Sequence, residues 1–230
     1  MLNPCIRRIA DGIWTTDSYF RALGCKGSLR MTIIRTKSGL MLYSPVRLTE
    51  ELAGELTTLG SVSAIIAPNL YHHMFLRDCA ELFSDARIHV PLGLEDKIGK
   101  IHGAEVIAET TRFASDVEQF TVTGHGLRET ILYHAPSATL ITADLLYNYA
   151  GRQFPAENMW FKLVGCYGKP DVAFYHRFSI KNLASLISLL DWVTARDVKR
   201  VVMSHGDILY DPAAGSIFVQ AWKRLLRLED

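Results

Sequence analysis

The hydrophobic and polar positions of the first third of the chain predict short strands. The segments GIWTTDSYF, SLRMTIIRTK and LMLYSP are rich in β-branched and aromatic residues, which favour extended backbone. Lys37-Ser38-Gly39 supplies turn residues between the second and third segments. These segments are therefore predicted to form a β-meander or hairpin.

A helical period follows this predicted meander. Leucines recur on one face of residues 50–59, Thr49 can cap the start of this helix, and Gly60 follows its last apolar position. Beyond Gly60, continuous apolar runs alternate with helical patterns, as is typical of α/β proteins. The predicted strands are SVSAIIAP, ARIHVP and AEVIAE, and the predicted helices are residues 74–83 and GLEDKIGKI.

From residue 117 the pattern returns to short strands, which predict a second meander. Its segments are VEQFTVTG, ETILYH and ATLITAD, with a turn at HAPSA. Residues 145–178 hold glycines and prolines among aromatic residues, and predict a long, irregular but ordered connection from which a lid could come. We interpret Trp160, Phe161 and Tyr167 within this connection as packing residues.

The C-terminal part predicts two helices around a strand. Ser179 is the predicted N-cap of a helix whose apolar set begins at Ile180. VKRVVMSH predicts a strand, and Asp211-Pro212 opens a last helix. Because no linker-like break divides the chain, we predict one domain over residues 1–230, built from two sheet-and-helix halves.

Composition and charge narrow the classes of function. The 230 residues are 49% hydrophobic and 21% charged, which is typical of a globular protein and excludes a disordered one. The formal net charge of +1 gives no overall field for nucleic acid or anionic lipid. We therefore expect a small-molecule substrate or ligand, with neither a nucleic-acid nor a membrane partner. The sequence predicts no particular oligomeric state.

Targeting and cysteine signals are weak. No apolar run reaches the length of a membrane span and no signal-peptide pattern is present, so the predicted location is cytoplasmic. The four cysteines are widely spaced and form no CxxC pair. They predict neither a disulfide framework nor a cysteine zinc site.

Histidines and one aspartate recur where apolar strands end. His72 and His73 follow SAIIAPNLY, Asp144 ends ATLITAD, His205 ends RVVMSH, and His125 ends FTVTGH. Because the carboxyl ends of strands line the ligand crevice of α/β sheets, these side chains could converge. A single histidine there is more often a hydrogen-bonded structural residue. Three or four histidine and aspartate ligands around one ion, however, are a familiar zinc or iron site.

The order and spacing of these elements resemble the metallo-β-lactamase-like superfamily over nearly the whole chain. The resemblance implies an α/β fold, a four-layer αββα sandwich of the metallo-β-lactamase type, with metal at the sandwich edge. Gly124-His125, Asp144 and His205-Gly206 match its later motifs. Its first motif, His-x-His-x-Asp-His, is degenerate: the four positions hold Pro68, Leu70, His72 and His73, and a strand-ending aspartate is replaced by Ser44.

Further short motifs are similar to a divergent branch of the same superfamily. They are Ser44-Pro45-Val46, Ala67-Pro68-Asn69 with His72-His73, Tyr133-His134 before Ser137-Ala138-Thr139-Leu140, and His205-Gly206-Asp207. This second resemblance implies the fold and no particular reaction.

The departures from the motif imply at most one metal. In the superfamily, the first ion uses the first two histidines and the Gly-His histidine, and two of these three are lost here. A donor is kept at each position around the second ion, so the resemblance implies His72, His73, Asp144 and His205 as ligands. If His72 points away, three ligands and an open position remain. His125 is then a candidate acid/base or a ligand of a weak second ion, and Asp144 counts with it as a candidate catalytic residue.

The leading hypothesis is a metal-dependent hydrolase. One divalent metal, zinc in preference to iron, would activate water against an ester, thioester, amide or phosphoester. The alternative is a non-catalytic scaffold that binds a small molecule or a protein partner. An iron-dependent oxygenase is disfavoured, because the resemblance implies that its iron would use the ligand set lost here.

The other polar candidates receive structural interpretations. His134, His89, His102 and His176 are interpreted as structural, with His134 close enough in sequence to Glu129 for a supporting role. We interpret Arg128 and Glu129 as solvated neighbours on a strand. Asn69 is interpreted as a turn residue after Pro68, or as a hydrogen-bond partner of a ligand histidine.

Overall fold

The computed structural model describes residues 5–22, 25–151 and 154–228. Its larger sheet has seven strands, in the same order in space as in sequence. They are β1 (Arg7–Ala10), β2 (Ile13–Ala22), β3 (Cys25–Thr36), β4 (Gly39–Tyr43), β5 (Val62–Ile66), β6 (Arg87–Val90) and β7 (Ala104–Val106). Pairing is antiparallel from β1 to β4 and parallel from β4 to β7.

The second sheet has five strands in the order β14-β13-β10-β9-β8. They are β8 (Val117–Thr121), β9 (Thr130–His134), β10 (Thr139–Ile141), β13 (Arg200–Val202) and β14 (Leu209–Tyr210). Strands β10 and β13 are parallel neighbours, and the other pairs are antiparallel. A small separate pair joins β11 (Tyr147–Asn148) to β12 (Pro170–Asp171).

In the described part of the chain, six α-helices cover the sheets and the connections. They are α1 (Glu50–Leu59), α2 (Leu76–Leu82), α3 (Leu94–Ile98), α4 (Pro155–Leu163), α5 (Leu183–Thr194) and α6 (Ala214–Leu226). Short 3-10 turns occupy Ala135–Ser137 and Phe174–Ser179. Within the described residues, no helix has the length and apolar character needed to cross a membrane.

Alternation along the strands divides the core into layers. Ile34 of β3 and Ile66 of β5 point between the two sheets, where they meet Leu132 of β9. The alternate residues Ile33 and Ile65 point outward. They pack under helices α1, α2 and α3. The outer face of the second sheet is covered by α5 and α6, so the order is helix, sheet, sheet, helix.

Most elements lie where the sequence predicts them. The helix predicted over residues 50–59 is α1. The Leu52 N–H donates to the Thr49 hydroxyl at its start, and the Gly60 N–H donates to the Leu56 carbonyl at its end. The strands and turn predicted before it are β2, β3 and β4 with the turn at Lys37-Ser38. The predicted α/β class and layered architecture are confirmed.

Two predictions of secondary structure and one of burial were incomplete or wrong. Residues 145–178 are not simply irregular, because they contain α4 and the β11–β12 pair. The helix predicted from Ser179 starts later, at Leu183, and its cap is Asn182. Residues 180–182 are held extended instead. Ile180 forms an isolated antiparallel β-bridge with His125, and the Asn182 amide donates to the Gly124 carbonyl. Trp160, interpreted as a packing residue, is half exposed, whereas Phe161 is buried.

Candidate metal centre

Three chain segments meet at one edge of the sandwich. Asp144 and His205 follow the neighbouring parallel strands β10 and β13, which are in register at Ile141 and Val202. Both side chains are therefore delivered at the carboxyl end of the second sheet. His72 lies on the turn after β5 of the first sheet, and it reaches the same place from the opposite layer.

His72, Asp144 and His205 form a compact group. Their potential ligand atoms all lie within 4.8 Å of one another. His72 Nε2 is 3.1 Å from Asp144 Oδ2, and His205 Nε2 is 3.5 Å from Asp144 Oδ1. A tetrahedral shell with ligand bonds of about 2.0–2.1 Å has edges of about 3.4 Å. The spacing of the donors thus matches the spacing that a small divalent ion needs.

The hydrogen bond of His205 gives the strongest evidence that the donors fit a cation. His205 Nδ1 lies 2.7 Å from the Ser28 carbonyl oxygen, which can only accept, so Nδ1 carries a proton. In the neutral ring, Nε2 then directs its lone pair at the Asp144 carboxylate. Burial lowers the pKa of His205, which favours this neutral form. Two facing acceptors need a cation between them, and a metal ion would satisfy both.

Ser44 orients the ring of His72. Its hydroxyl is 2.8 Å from His72 Nδ1, which leaves Nε2 for Asp144. Ser44 is fully buried and has a φ of 60°. Because a substrate cannot reach a fully buried hydroxyl, this serine, histidine and aspartate series does not act as a nucleophilic triad here. We assign Ser44 to positioning His72.

The protonation of this group is set by burial and by charge. Burial alone would lower the pKa of His72, but the nearby charge and hydrogen bond of Asp144 raise it. Burial alone would likewise raise the pKa of Asp144, but the charge and hydrogen bond of His72 hold it well below its usual range. Asp144 is therefore ionised, and its negative charge must be balanced by a proton on His72 or by a metal ion.

Glu129 and Asn69 support Asp144 from below. Glu129 is completely buried and accepts from the Thr142 hydroxyl at 2.5 Å, the Ala143 amide at 2.7 Å and the Asp144 amide at 2.9 Å. Asn69 Nδ2 donates to both carboxylates, Glu129 at 2.8 Å and Asp144 at 2.9 Å. The interpretation of Glu129 as a solvated residue was wrong, since these donors come from distant segments.

Asn69 also shapes the turn that carries His72. Its side-chain oxygen accepts from the amides of Tyr71 and His72, at 2.8 Å and 3.0 Å. The side chain thus acts both as a turn residue and as a partner of the ligand group, in agreement with both interpretations from the sequence.

Arg30 of β3 fixes the loop that carries His205. Its guanidinium donates to the carbonyls of Met203 at 3.1 Å and Gly206 at 2.8 Å, and its Nε lies 2.8 Å from Asp17 Oδ1. Gly206 has a φ of 87°, and a Cβ there would lie 2.3 Å from the Asn148 carbonyl oxygen. The motif His205-Gly206 therefore needs glycine for both backbone conformation and close packing.

Tyr147 completes the surroundings of Asp144. Its hydroxyl donates to Asp144 Oδ1 at 3.2 Å and lies 3.0 Å from the Tyr175 hydroxyl. Burial, with the charge of Asp144, raises the pKa of Tyr147 well above its usual value. Tyr147 therefore stays a donor at neutral pH. The sequence offered one signal for it, its position three residues after Asp144.

Comparison with solved structures identifies the fold. DIM-1 metallo-β-lactamase exposed to ceftazidime is 14% identical, with a TM-score of 0.65 over 97% of this chain and 98% of that chain. The metallo-β-lactamase from Pontibacter korlensis is 17% identical, with a TM-score of 0.63 over 99% and 100% of the two chains. The mono-zinc form of the metallo-β-lactamase FIM-1 from Pseudomonas aeruginosa is 9% identical, with a TM-score of 0.62 over 98% and 97%.

The chain has the metallo-β-lactamase fold. A family model described as "Domain of unknown function (DUF4336)" matches residues 10–94. No curated protein matches the sequence. The similarity to the metallo-β-lactamases is therefore one of fold, and the chemistry must be argued from the side chains.

Within the metallo-β-lactamase fold, His73 lies outside the group formed by His72, Asp144 and His205. It is half buried, and its carbonyl accepts from Leu76 at the start of α2. Burial, and then the charge of Lys97 on α3, lower its pKa. Of the four predicted ligands, the structure brings together His72, Asp144 and His205 and leaves His73 outside their group.

His125, the predicted acid/base, is held by backbone groups. Its Nδ1 accepts from the Leu127 amide at 3.2 Å, and its Nε2 lies 3.0 Å from the His176 carbonyl oxygen. Both nitrogens of the buried ring are thus engaged by backbone, and burial lowers its pKa. Neither nitrogen is free for a metal or for proton transfer in this structure, and the acid/base role of His125 stays a prediction.

His176 fills the space beside His125. The two rings lie 5.2 Å apart, and Trp222 lies 6.1 Å from His176. Burial, with the charge of His125, lowers the pKa of His176 to about 4. Of the three first-metal positions that the resemblance implied, two hold Pro68 and Leu70, and the third holds His125, whose nitrogens are bonded to backbone. His176 is structural, as the sequence suggested.

The remaining histidines lie away from this edge. His134 Nδ1 is 2.7 Å from the Ser137 hydroxyl, and its ring packs beside Gly12. His89 packs edge-on against Phe113. His102 is exposed on a turn. These positions agree with structural roles for His134 and His89, and His134 makes no described contact with Glu129.

Proposed function

We propose that this protein is a metal-dependent hydrolase that binds one divalent cation through His72, Asp144 and His205. The observation that carries the proposal is the orientation of His205: the Ser28 carbonyl holds Nδ1, so that Nε2 faces the Asp144 carboxylate 3.5 Å away. A cation between them removes the repulsion between the two acceptors. Three protein ligands also leave a position for water, as catalytic zinc sites do.

The residues around the proposed metal site have different roles. Bound at these three residues, a divalent cation would polarise a substrate oxygen and lower the pKa of water. Asp144 supplies the negative charge, and Asn69 and Tyr147 hold it in place through their hydrogen bonds. Ser44 and the Ser28 carbonyl fix the two imidazoles so that each presents Nε2. This preorganisation restricts the ligand atoms before the cation arrives.

We propose zinc in preference to iron as the cation. Two imidazoles and one carboxylate form a ligand set of catalytic zinc sites, although the same donors also suit Fe(II). The proposed substrate is a small ester, thioester, amide or phosphoester. Asp144 and His205 are the reachable members of the group, since their side chains keep 10% and 14% of their surface exposed.

Hydrolysis by the zinc-loaded protein tests this proposal. Protein reconstituted with Zn²⁺ is assayed against a panel of one simple ester, thioester, amide and phosphoester, beside His205→Ala and His73→Ala. We expect turnover of at least one substrate, at least a hundredfold loss in His205→Ala, and little change in His73→Ala, which serves as the matched control. Turnover that survives His205→Ala, or no turnover of any class by fully loaded protein, would contradict the proposal.

A non-catalytic scaffold is the second candidate. The observation that favours it is the occupation of the first metal region by Pro68, Leu70 and the backbone-bonded His125. In this case the pocket would bind a small molecule or a protein partner without converting it. The scaffold predicts that chelation leaves the melting temperature unchanged, whereas a metal bound only to the native state stabilises it.

A further inference from the structure

The metal centre opens beside an unusual surface of exposed aromatic side chains. We call Trp160, Phe174, Tyr175 and Phe178 the aromatic rim. Trp160 is 50% exposed, Phe174 53% and Phe178 82%. Monomeric proteins rarely expose large apolar side chains in contact with one another unless the surface has a function. The rim comes from two segments of the long connection, α4 and the 3-10 turn Phe174–Ser179.

The rim is a continuous surface. The ring centroids of Trp160 and Tyr175 are 6.0 Å apart, those of Tyr175 and Phe174 are 6.3 Å apart, and those of Phe174 and Phe178 are 6.5 Å apart. These spacings lie within the range of aromatic contacts. A flat or extended apolar group could therefore rest on several rings at once.

Tyr175 connects the rim to the candidate metal centre. Its ring belongs to the rim, while its hydroxyl lies 3.0 Å from the Tyr147 hydroxyl. Tyr147 in turn donates to Asp144 Oδ1 at 3.2 Å. The apolar surface thus begins two hydrogen bonds away from the carboxylate of the centre. A molecule whose reactive group reached Asp144 and His205 would place its remaining atoms against this surface.

Anchoring keeps the rim in place. Glu157 of α4 is buried and accepts from the Ser28 amide at 2.8 Å, the Ser28 hydroxyl at 2.7 Å and the Tyr149 hydroxyl at 2.7 Å. The Ser28 carbonyl is the group that orients His205. The helix that carries Trp160 is therefore tied to the same residue as the candidate ligand, so rim and centre keep a fixed relation.

The charges beside the rim are basic. Lys162 and Arg177 are exposed within these two fully described segments, where the acidic residue, Glu157, is buried and hydrogen-bonded. The surface therefore accommodates an apolar group with a negative charge and disfavours a cationic one.

We propose that the aromatic rim is the substrate-binding surface for an apolar acyl or aryl group, so that the substrate is an ester, thioester or amide of such a group. This inference rests on the proposed hydrolase function for its reactive end. The rim itself selects the non-reacting part of the molecule by burying it against aromatic faces.

Two measurements test the rim together. The first is hydrolysis of p-nitrophenyl esters from acetate to octanoate by zinc-loaded protein. The second is the fluorescence of 1-anilinonaphthalene-8-sulfonate and its displacement by octanoate, which needs no turnover. The variant is Phe174→Ser combined with Phe178→Ser. Both side chains are more than half exposed, so the change leaves the core intact. Tyr210→Ser is the matched control. Tyr210 is 56% exposed and lies on β14 opposite Arg200, at the end of β13 that is far from His205.

The expected result is specific to the rim. In the natural protein, kcat/KM rises about twofold to fourfold per added methylene, which corresponds to burial of alkyl surface. The double variant flattens this rise and weakens probe binding at least tenfold, while Tyr210→Ser changes neither. If no ester is hydrolysed but octanoate still displaces a rim-dependent probe, the hydrolase proposal fails, and the rim stands as a surface that binds apolar acyl groups but not as a substrate site.

Other outcomes overturn the rim proposal. Ester hydrolysis that is independent of chain length and unchanged in the double variant would leave the hydrolase standing without this surface. Binding to vesicles of phosphatidylcholine and phosphatidylglycerol that is lost in the double variant, with no dependence on chain length, would assign the rim to a lipid surface. If the protein forms a dimer that the double variant abolishes, and hydrolysis does not depend on the acyl chain length, the rim would be assigned to contact with a second copy of the chain.

Discussion

His176 provides a sharp test of how the region beside the metal centre is built. Its ring is buried among His125, Tyr147 and Trp222, and burial lowers its pKa from 6.5 to about 4. The unfolded chain therefore binds a proton at this residue more readily than the folded chain does. We predict that His176→Phe, which keeps a ring in the same space, removes one source of acid sensitivity.

The size of the effect follows from linkage. A histidine with a pKa of 6.5 unfolded and about 4 folded contributes stability that is fully present above pH 6.5 and is lost as the pH falls towards 4. At pH 5 the loss is about 2 kcal/mol, whereas at about pH 7.5 it is close to zero. The hydrogen bond given up is long, 3.5 Å to the Tyr147 hydroxyl, so its removal costs at most about 1 kcal/mol.

Urea unfolding of chelator-treated protein at these two pH values measures the effect. At each pH, the free energy of unfolding of the natural chain is subtracted from that of His176→Phe. This difference should be about 2 kcal/mol larger at pH 5 than at about pH 7.5. His102→Phe, at an exposed position, is the control and should show no such gain. An equal pH dependence in His176→Phe and the natural chain would refute the conclusion that this histidine is held neutral.

Three further predictions concern the support of the centre. Glu129→Gln should lower the free energy of unfolding by about 2–4 kcal/mol, because an amide cannot accept from all four of its donors; unchanged urea unfolding would contradict this. Arg30→Met should lower the free energy of unfolding by about 1–3 kcal/mol, because the carbonyls of Met203 and Gly206 lose their donor while Asp17 keeps Arg7, and it should weaken metal binding; full metal affinity would show that Arg30 does not position His205. Zinc affinity measured by competition with a chelator should rise with pH until His72 loses its proton, because that proton competes with the metal, and a flat profile would contradict the assignment of His72.

Local patterns in the sequence were enough to predict much of the fold. Helix α1 has its apolar face, its Thr49 cap and its terminal glycine within one short segment, so nothing distant was needed to define it. Helix α4 was missed because its pattern is inverted. It buries the charged Glu157, whose polar partner Ser28 lies in a distant strand, and it exposes the apolar residues Met159, Trp160 and Leu163.

The site was only partly predictable for the same reason. Asp144 and His205 end neighbouring parallel strands, and the topology alone brings them together. The choice between His72 and His73 depends on the turn set by Asn69, which cannot be read from residue types. Glu129 looked like an ordinary strand residue because all its partners come from other segments.

The central claim is that one divalent cation is held by His72, Asp144 and His205, with His73 outside the shell. Elemental analysis of protein saturated with Zn²⁺ and then desalted tests it most directly, in the natural chain and in His72→Ala and His73→Ala. We predict about one zinc per chain in the natural protein and in His73→Ala, and almost none in His72→Ala. No retained metal in the natural chain, or loss in His73→Ala with retention in His72→Ala, would contradict the account.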